Sequence, residues 1–238
     1  MTHSTFSQRQ QMLASLNMAE IPEGEFLYGS SDLDKTAYDN EKPQRTIFLL
    51  SFRIAKTPVT NKQWSVFLQE SGYKPTKEEH DGDYLRHWEQ GKYPKQLENH
   101  PVVYISKHNA DAFCSFYGLR LPTETEWEKA ARGKDGRLYP WGNQPPEWWL
   151  CNFSNFHKGT TPVGSFPLGA SSYGVQDCAG NVWEWTSSLN DSDSSSLRFF
   201  LRGGYCGYNA PGVRCANRYF CTPAFCNYDI GFRPAQDT

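Results

Sequence analysis

The sequence has no surplus of either charge, no long apolar run and no closely spaced cysteine pair, and each absence removes a class of function. Lys and Arg total 24 against 26 Asp and Glu, for a net charge of −2 and a pI near 6.3. No basic face is therefore expected to gather phosphates, which argues against general nucleic-acid binding. No stretch approaches the roughly 18 apolar residues of a membrane span. The start of the chain, residues 1–11, is polar and lacks the apolar core of a secretory leader, so a cytoplasmic protein is expected. The seven cysteines are an odd number in such a chain, which predicts free thiols rather than a disulfide framework. A zinc site built from Cys206, Cys215, Cys221 and Cys226 is disfavoured because no Cys-x2-Cys pair occurs.

A sharper absence is local. Residues 205–229 contain no Lys, Glu, Gln, Trp or Met, although a window of that length would hold about five of these types at the chain's own composition. The same 25 residues carry four of the seven cysteines. They are framed by Arg202-Gly203-Gly204 on one side and Ile230-Gly231-Phe232-Arg233 on the other.

What is present suits a turn-rich single body. Aromatic residues make up 15% of the chain, with 19 Gly and 15 Pro, a balance that favours irregular loops over a helical bundle. Three short helices announce themselves by their start signals. Thr60 with Gln63 and Thr123 with Glu126 have the form of capping boxes, and Ser106 can cap a helix that Gly118 stops. Strands are expected at 25–29, 46–54, 182–186 and 199–202, mostly antiparallel, from their β-branched and aromatic content. Residues 74–95 read as a charged surface insertion and 187–196 as a polar loop.

A set of ordered motifs carries a family resemblance. Pro22-Glu23-Gly24-Glu25-Phe26 with Gly29-Ser30, Lys56-Thr57-Pro58-Val59-Thr60-Asn61, Arg120-Leu121-Pro122-Thr123-Glu124-Thr125-Glu126-Trp127-Glu128, Tyr139-Pro140-Trp141-Gly142, Ala179-Gly180-Asn181-Val182-Trp183-Glu184-Trp185, Arg202-Gly203-Gly204 and Gly231-Phe232-Arg233 resemble the formylglycine-generating enzyme (sulfatase-modifying factor) family. The resemblance implies an α+β chain with the C-type lectin fold over residues 21–238. Residues 1–20 are then an N-terminal extension, either a docking helix or a frayed end.

The resemblance also frames the question of catalysis. Catalytic relatives use a Cys-x4-Cys pair a few residues after the Gly-Gly, where soft thiolates hold copper. Cys221 and Cys226 have that spacing but lie well downstream, and Cys206, nearer to Gly204, has no partner four residues on. Ergothioneine-type iron chemistry implies a histidine and acid cluster on a further helical domain that this sequence does not supply. The expectation is therefore a non-enzymatic protein that requires no cofactor, with copper-dependent oxidation of a peptide cysteine to formylglycine as the alternative. Relatives can also bind Ca²⁺ near Asn181, Val182 and Glu184. Glu184 either joins such a site or pairs with an arginine such as Arg233.

The residue set of 205–229 has a genetic reading. If adenines of AAC-type codons are randomised, every product codon still ends in C, and such codons never encode Lys, Glu, Gln, Trp or Met. With Arg214-x-Ala216-Asn217-Arg218 and Thr222-Pro223, the segment resembles the variable region of diversity-generating retroelement proteins, which share the lectin-type fold. That resemblance implies a displayed patch binding a protein or other macromolecular partner. Its residues are Tyr205, Cys206, Gly207, Tyr208, Asn209, Gly212, Val213, Cys215, Tyr219, Phe220, Cys221, Ala224, Phe225, Cys226, Asn227, Tyr228 and Asp229, held by a rigid frame of Arg202, Arg214, Arg218 and Arg233. The alternative is that the aromatics of this segment are core. Sequencing the gene tests the reading: nearly all codons at Cys206, Gly207, Tyr208, Tyr219, Phe220, Cys221, Phe225, Cys226, Tyr228 and Asp229 are expected to end in C, and mixed third bases there refute it.

Overall fold

The computed structural model describes residues 7–190 and 196–238. Four helices and three small sheets are stitched together by long irregular segments. In chain order the elements are α1 (Gln8–Ser15), β1 (Met18–Ile21), β2 (Gly24–Tyr28), β3 (Arg45–Leu49), β4 (Phe52–Ala55), α2 (Asn61–Ser71), α3 (Lys107–Tyr117), α4 (Glu124–Arg132), β5 (Trp183–Leu189), β6 (Phe199–Arg202), β7 (Arg218–Cys221), β8 (Ile230–Gly231) and β9 (Ala235–Asp237). This is the expected α+β lectin-type architecture. No helix among the described residues is long and apolar enough to cross a membrane.

The three expected helix starts form through reciprocal side-chain bonds. The Gln63 amide N–H donates to Thr60 Oγ1 at 3.2 Å while the Thr60 N–H donates to Gln63 Oε1 at 2.9 Å. Ser106 with Asn109 and Thr123 with Glu126 repeat the pattern, satisfying amides that a helix start otherwise leaves orphaned. Gly72, Gly118 and Gly133 stop the same three helices with positive φ.

Three expectations need correction. Residues 46–54 are two strands rather than one. β3 pairs with β2 while β4 lies between β1 and β9, and the chain turns at Leu50 and Ser51 to move between sheets. Residues 74–95 are not merely a surface insertion, because Leu85 and Trp88 are buried in the main core and the Trp88 indole donates to Asn61 Oδ1 at 2.9 Å. The boundary drawn after residue 20 falls within β1, which pairs with β4 through all four of its residues. Met12 and Leu16 of the supposed extension are buried in the same core. Of the polar loop expected at 187–196, residues 187–189 belong to β5 and 191–195 lie outside the described residues.

Two cores flank the sheet of order β7-β6-β5-β8. One gathers Trp64, Phe67, Phe113, Trp185 and Phe232, with Trp64 stacked on Phe113 at 5.7 Å. The other gathers Ile21, Phe52, Ile54, Trp127 and Cys215. Between them stands Glu184, wholly buried. Arg233 Nε donates to its Oε2 and Arg233 Nη2 to its Oε1, each at 2.6 Å, and the Trp127 indole donates to Oε2 at 2.7 Å. The arginine pairing expected for Glu184 is formed, and the Asn181 side chain is bonded to the Thr161 backbone.

A buried pair is strongly destabilised when one partner is removed, by about 3–5 kcal/mol. Arg233→Met is therefore expected to lower unfolding stability in urea by that amount. Added Ca²⁺ is expected to leave the melting temperature of the native chain unchanged, and a rise with Ca²⁺ contradicts the assignment.

Candidate functional site

Residues 205–229 form one face at the edge of the four-stranded sheet. They leave β6 through Gly203 and Gly204, both at positive φ, where a Cβ on Gly204 would land on the Gly212 carbonyl oxygen. The first loop, 205–213, is held by its backbone. Cys206 N–H donates to Asn181 O at 3.1 Å, while Cys206 O and Tyr208 O accept from Asn155 and Ser154 N–H at 2.7 and 2.8 Å. Edge strand β7 follows, and a second loop, 222–229, is pinned in the same way. Pro223 O accepts from Lys107 N–H, Asn227 O from Tyr104 N–H and Asp229 O from Trp183 N–H, at 2.8–3.0 Å. None of these bonds depends on the side chains of the segment.

The arginines complete the support. Arg202, fully buried, donates to the carbonyls of Cys215, Ala216 and Asn217, each at 2.8 Å, and also pairs with Glu128. Arg214 grips Glu41 with two bonds of 2.6 and 2.7 Å. Arg218 donates to the Tyr28 hydroxyl at 2.8 Å and lies 3.1 Å from Glu124. The two-bonded grip on Glu41 uses the planar fork that lysine lacks.

On this support stands a continuous row of rings. Tyr228 meets Tyr205 at 6.1 Å, Tyr205 meets Tyr208 at 4.7 Å, and Tyr208 meets Trp183 at 5.6 Å. Trp183 meets Tyr219 at 6.1 Å, and Tyr219 stacks on Phe220 at 5.8 Å. Tyr219 and Tyr228 are about half exposed, at 49% and 51%. An open cavity of about 660 Å³ lies along the row, lined by Tyr38, Asp39, Asn40, Trp183, Gly207, Tyr208, Asn209, Gly212, Asn217, Arg218 and Tyr219.

The structure divides the sequence-predicted residues into two groups. Tyr205, Gly207, Tyr208, Asn209, Tyr219, Phe220, Cys221, Ala224, Phe225, Asn227, Tyr228 and Asp229 reach the surface wholly or in part. Cys206, Gly212, Val213, Cys215 and Cys226 are buried. Val213 packs with Tyr139 and Phe153, and Cys215 lies in the second core, so the side chains of Cys206, Val213, Cys215 and Cys226 are not displayed, while Gly212 lines the cavity through its backbone alone. Sequence reasoning missed the cavity walls contributed by Tyr38, Asp39, Asn40 and Trp183. The one available signal was the alternation in β5, which turns Trp183 away from Glu184.

Cys226 is buried and Cys221 partly so. Burial pushes Cys221 and Cys226 up to about 12. Their surroundings differ: Asp229 and Arg198 influence Cys221, whereas Asp81 and Asp83 influence Cys226, whose N–H donates to Asp81 Oδ2 at 3.1 Å. No group of three or more His, Cys, Asp or Glu among the described residues is placed to hold a metal ion.

The whole chain, residues 2–238, matches the sulfatase-modifying factor enzyme 1-like domain. The chain belongs to the formylglycine-generating enzyme (sulfatase-modifying factor) family. A relative from Bos taurus named inactive C-alpha-formylglycine-generating enzyme 2 is 33% identical, over 93% of this chain and 88% of its own length. The formylglycine-generating enzyme of Thermomonospora curvata is 32% identical, over 88% and 84%. A hercynine oxygenase of Mycolicibacterium smegmatis is 34% identical over 71% of this chain, which spans only 44% of that protein. Among solved structures, PvdO from Pseudomonas aeruginosa superposes with a TM-score of 0.78 at 23% identity, covering 93% of this chain and 94% of its own. Treponema denticola variable protein 1 superposes with a TM-score of 0.70 at 22% identity, covering 93% and 95%. Those two establish likeness of fold.

These relatives overturn the expectation that the chain is not an enzyme, because it sits among proteins named as an oxygenase and a formylglycine-generating enzyme. The expectation that no cofactor is required conflicts with the same names.

Asp229 gives the face a measurable pH signature. Burial pushes its carboxyl up to about 6, and its Oδ1 has no hydrogen-bond partner. A raised carboxyl favours the folded state below the unfolded value near 3.8, and that advantage is lost as pH rises through about 6. Asp229→Asn is therefore expected to stabilise the protein at pH 8 by about 1–2 kcal/mol relative to its effect at pH 3.5. Urea unfolding at the two pH values reads the difference, and an equal effect at both refutes the assignment.

Proposed function

We propose that the 205–229 face of this formylglycine-generating-enzyme-family chain binds a polypeptide partner, with the aromatic row as its anchor and the residues of that face drawn from a diversified repertoire. One observation carries the reading. The loops of the segment are held by main-chain bonds and by Arg202, with Arg214 and Asn217 as fixed contacts from within it, while Tyr208 and Tyr219 line an open cavity and Tyr228 and Phe220 extend the row of rings beyond it. A frame of this kind tolerates changing contents, and tyrosines supply large contact area for few torsions lost on binding. The restricted residue set of 205–229 and the likeness of fold to a protein named as variable support the diversified origin.

A second reading, copper-dependent oxidation of a peptide cysteine to formylglycine, is favoured by the names of the curated relatives. It uses the same face, since a peptide must be held there in either case.

Selection of a random peptide library on the purified chain tests the first reading. Selected peptides are expected to lose at least about tenfold in affinity for the Tyr208→Ala, Tyr219→Ala double variant while its melting temperature stays within a few degrees of native. Unaltered affinity overturns it. Incubating a cysteine-containing peptide with the chain, Cu(I) and oxygen tests the second: a peptide aldehyde lost in Cys221→Ser supports oxidation, and no aldehyde sinks it.

A further inference from the structure

The cavity beside the aromatic row is walled by rings and oxygens. Tyr38 and Tyr219 line it from exposed positions and Tyr208 from a half-buried one, with Trp183 buried in contact with both Tyr208 and Tyr219. The Tyr208 ring stands at 85° to Trp183, whereas Tyr219 is inclined to it by 31°, so the rings make a corner rather than a flat platform. Burial raises the Tyr208 hydroxyl, which keeps that ring a neutral phenol. The exposed side chains of Asp39, Asn40 and Asn209 bring carboxylate and amide oxygens to the same space.

The charges of the wall leave one negative. Arg218 lines the cavity but is spent inward: its Nη1 serves the Tyr28 hydroxyl and Glu124, and its Nε and Nη2 are buried. Arg132, Arg202, Arg214 and Arg218 stand in ion pairs with Glu124, Glu128, Asp34 and Glu41, four cations against four anions. Asp39 is the one acid among the described lining residues, and it makes no ion pair among the described residues. Segment 205–229 contributes no lysine, and its two arginines are the paired Arg214 and Arg218. Arg45, exposed and 5.2 Å from the Tyr28 ring, does not line the cavity. A wall of aromatic rings, oxygens and one unpaired carboxylate is complementary to a cation. Rings set at a corner suit a compact charge that meets several of them, whereas a planar guanidinium stacks on one, and the scattered oxygens replace the hydrogen bonds that an ammonium gives to water.

We propose that the polypeptide partner presents a lysine side chain to this cavity, its ammonium held by Asp39 and the phenol and amide oxygens among the rings of Tyr38, Tyr208 and Tyr219. The inference rests on the reading of the face as a polypeptide-binding surface and adds the chemistry of the group it accepts. Tyr38, Asp39, Asn40 and Trp183 lie outside 205–229, so this part of the wall is constant whatever the segment contains.

Three short probes titrated against the full chain at matched ionic strength test it: N-acetyl-Tyr-Lys-amide, N-acetyl-Tyr-norleucine-amide, which keeps the aliphatic chain and lacks the ammonium, and N-acetyl-Tyr-Arg-amide. The lysine peptide is expected to bind about tenfold more tightly than the norleucine peptide, and more tightly than the arginine peptide. Asp39→Asn, at an exposed position, is expected to weaken the lysine peptide about threefold and leave the norleucine peptide unchanged. Tyr38→Leu keeps apolar bulk without the ring and is expected to reduce the lysine preference as well. Equal binding of the lysine and norleucine peptides, arginine binding as tight as lysine, an unaltered lysine preference in the Tyr38→Leu, Asp39→Asn double variant, or no binding of any peptide overturns the proposal. If the lysine and norleucine peptides bind equally and both weaken in Tyr219→Ala, the preference for a cation fails while the polypeptide-binding face stands. If Tyr219→Ala alters neither, the face itself is refuted.

Discussion

The structure depends on carboxylates and guanidiniums buried together where a core would ordinarily be apolar. Glu184 accepts from Arg233 and Trp127 in the seam between the two apolar clusters, and Arg233 reaches on to the carbonyls of Ala55, Lys56 and Gln176. Taking such charges out of water is costly unless every donor and acceptor is matched. A side chain that meets this condition joins segments far apart in the chain and permits few alternatives. Arg202 ties residues 215–217 and Arg214 the turn around Glu41 in a similar way, with the Nε of each left buried without a partner. The long irregular stretches between the four short α-helices and three small sheets of the described residues thereby acquire a definite shape.

That rigidity separates two tasks within one segment. The run from Gly212 to Asn217 is buried and, with Cys206 and Cys226, belongs to the body. The residues pointing outward belong to a row of rings along a cavity. The loops of 205–229 are tied by their own peptide groups to Asn155, Ser154, Lys107, Tyr104 and Trp183. The family offers both possibilities for such a surface, since its members include proteins named as enzymes and one named as inactive.

Much of this was legible in the sequence where the determinants are local. A capping box lies within four residues, so the starts of α2, α3 and α4 could be placed at Thr60, Ser106 and Thr123. The pairing of Glu184 with Arg233 could be named because a carboxylate between two tryptophans of a strand requires a partner. The division of 46–54 into two strands was not legible, since it depends on which sheet each half joins. Nor was the burial of Cys206 and Cys226, which is fixed by contacts from Asn181 and Asp81, residues 25 and 145 positions away. The cavity was invisible for the same reason, because its walls come from three separated stretches.

The most direct test of a rigid frame with exchangeable contents is to exchange the contents. Replacing Asn209, Tyr219, Phe220 and Tyr228 together by serine and measuring urea unfolding is predicted to change stability by less than about 2 kcal/mol, with the unfolding slope unaltered. A loss as large as that of a broken buried ion pair, or a broadened transition, would contradict the account.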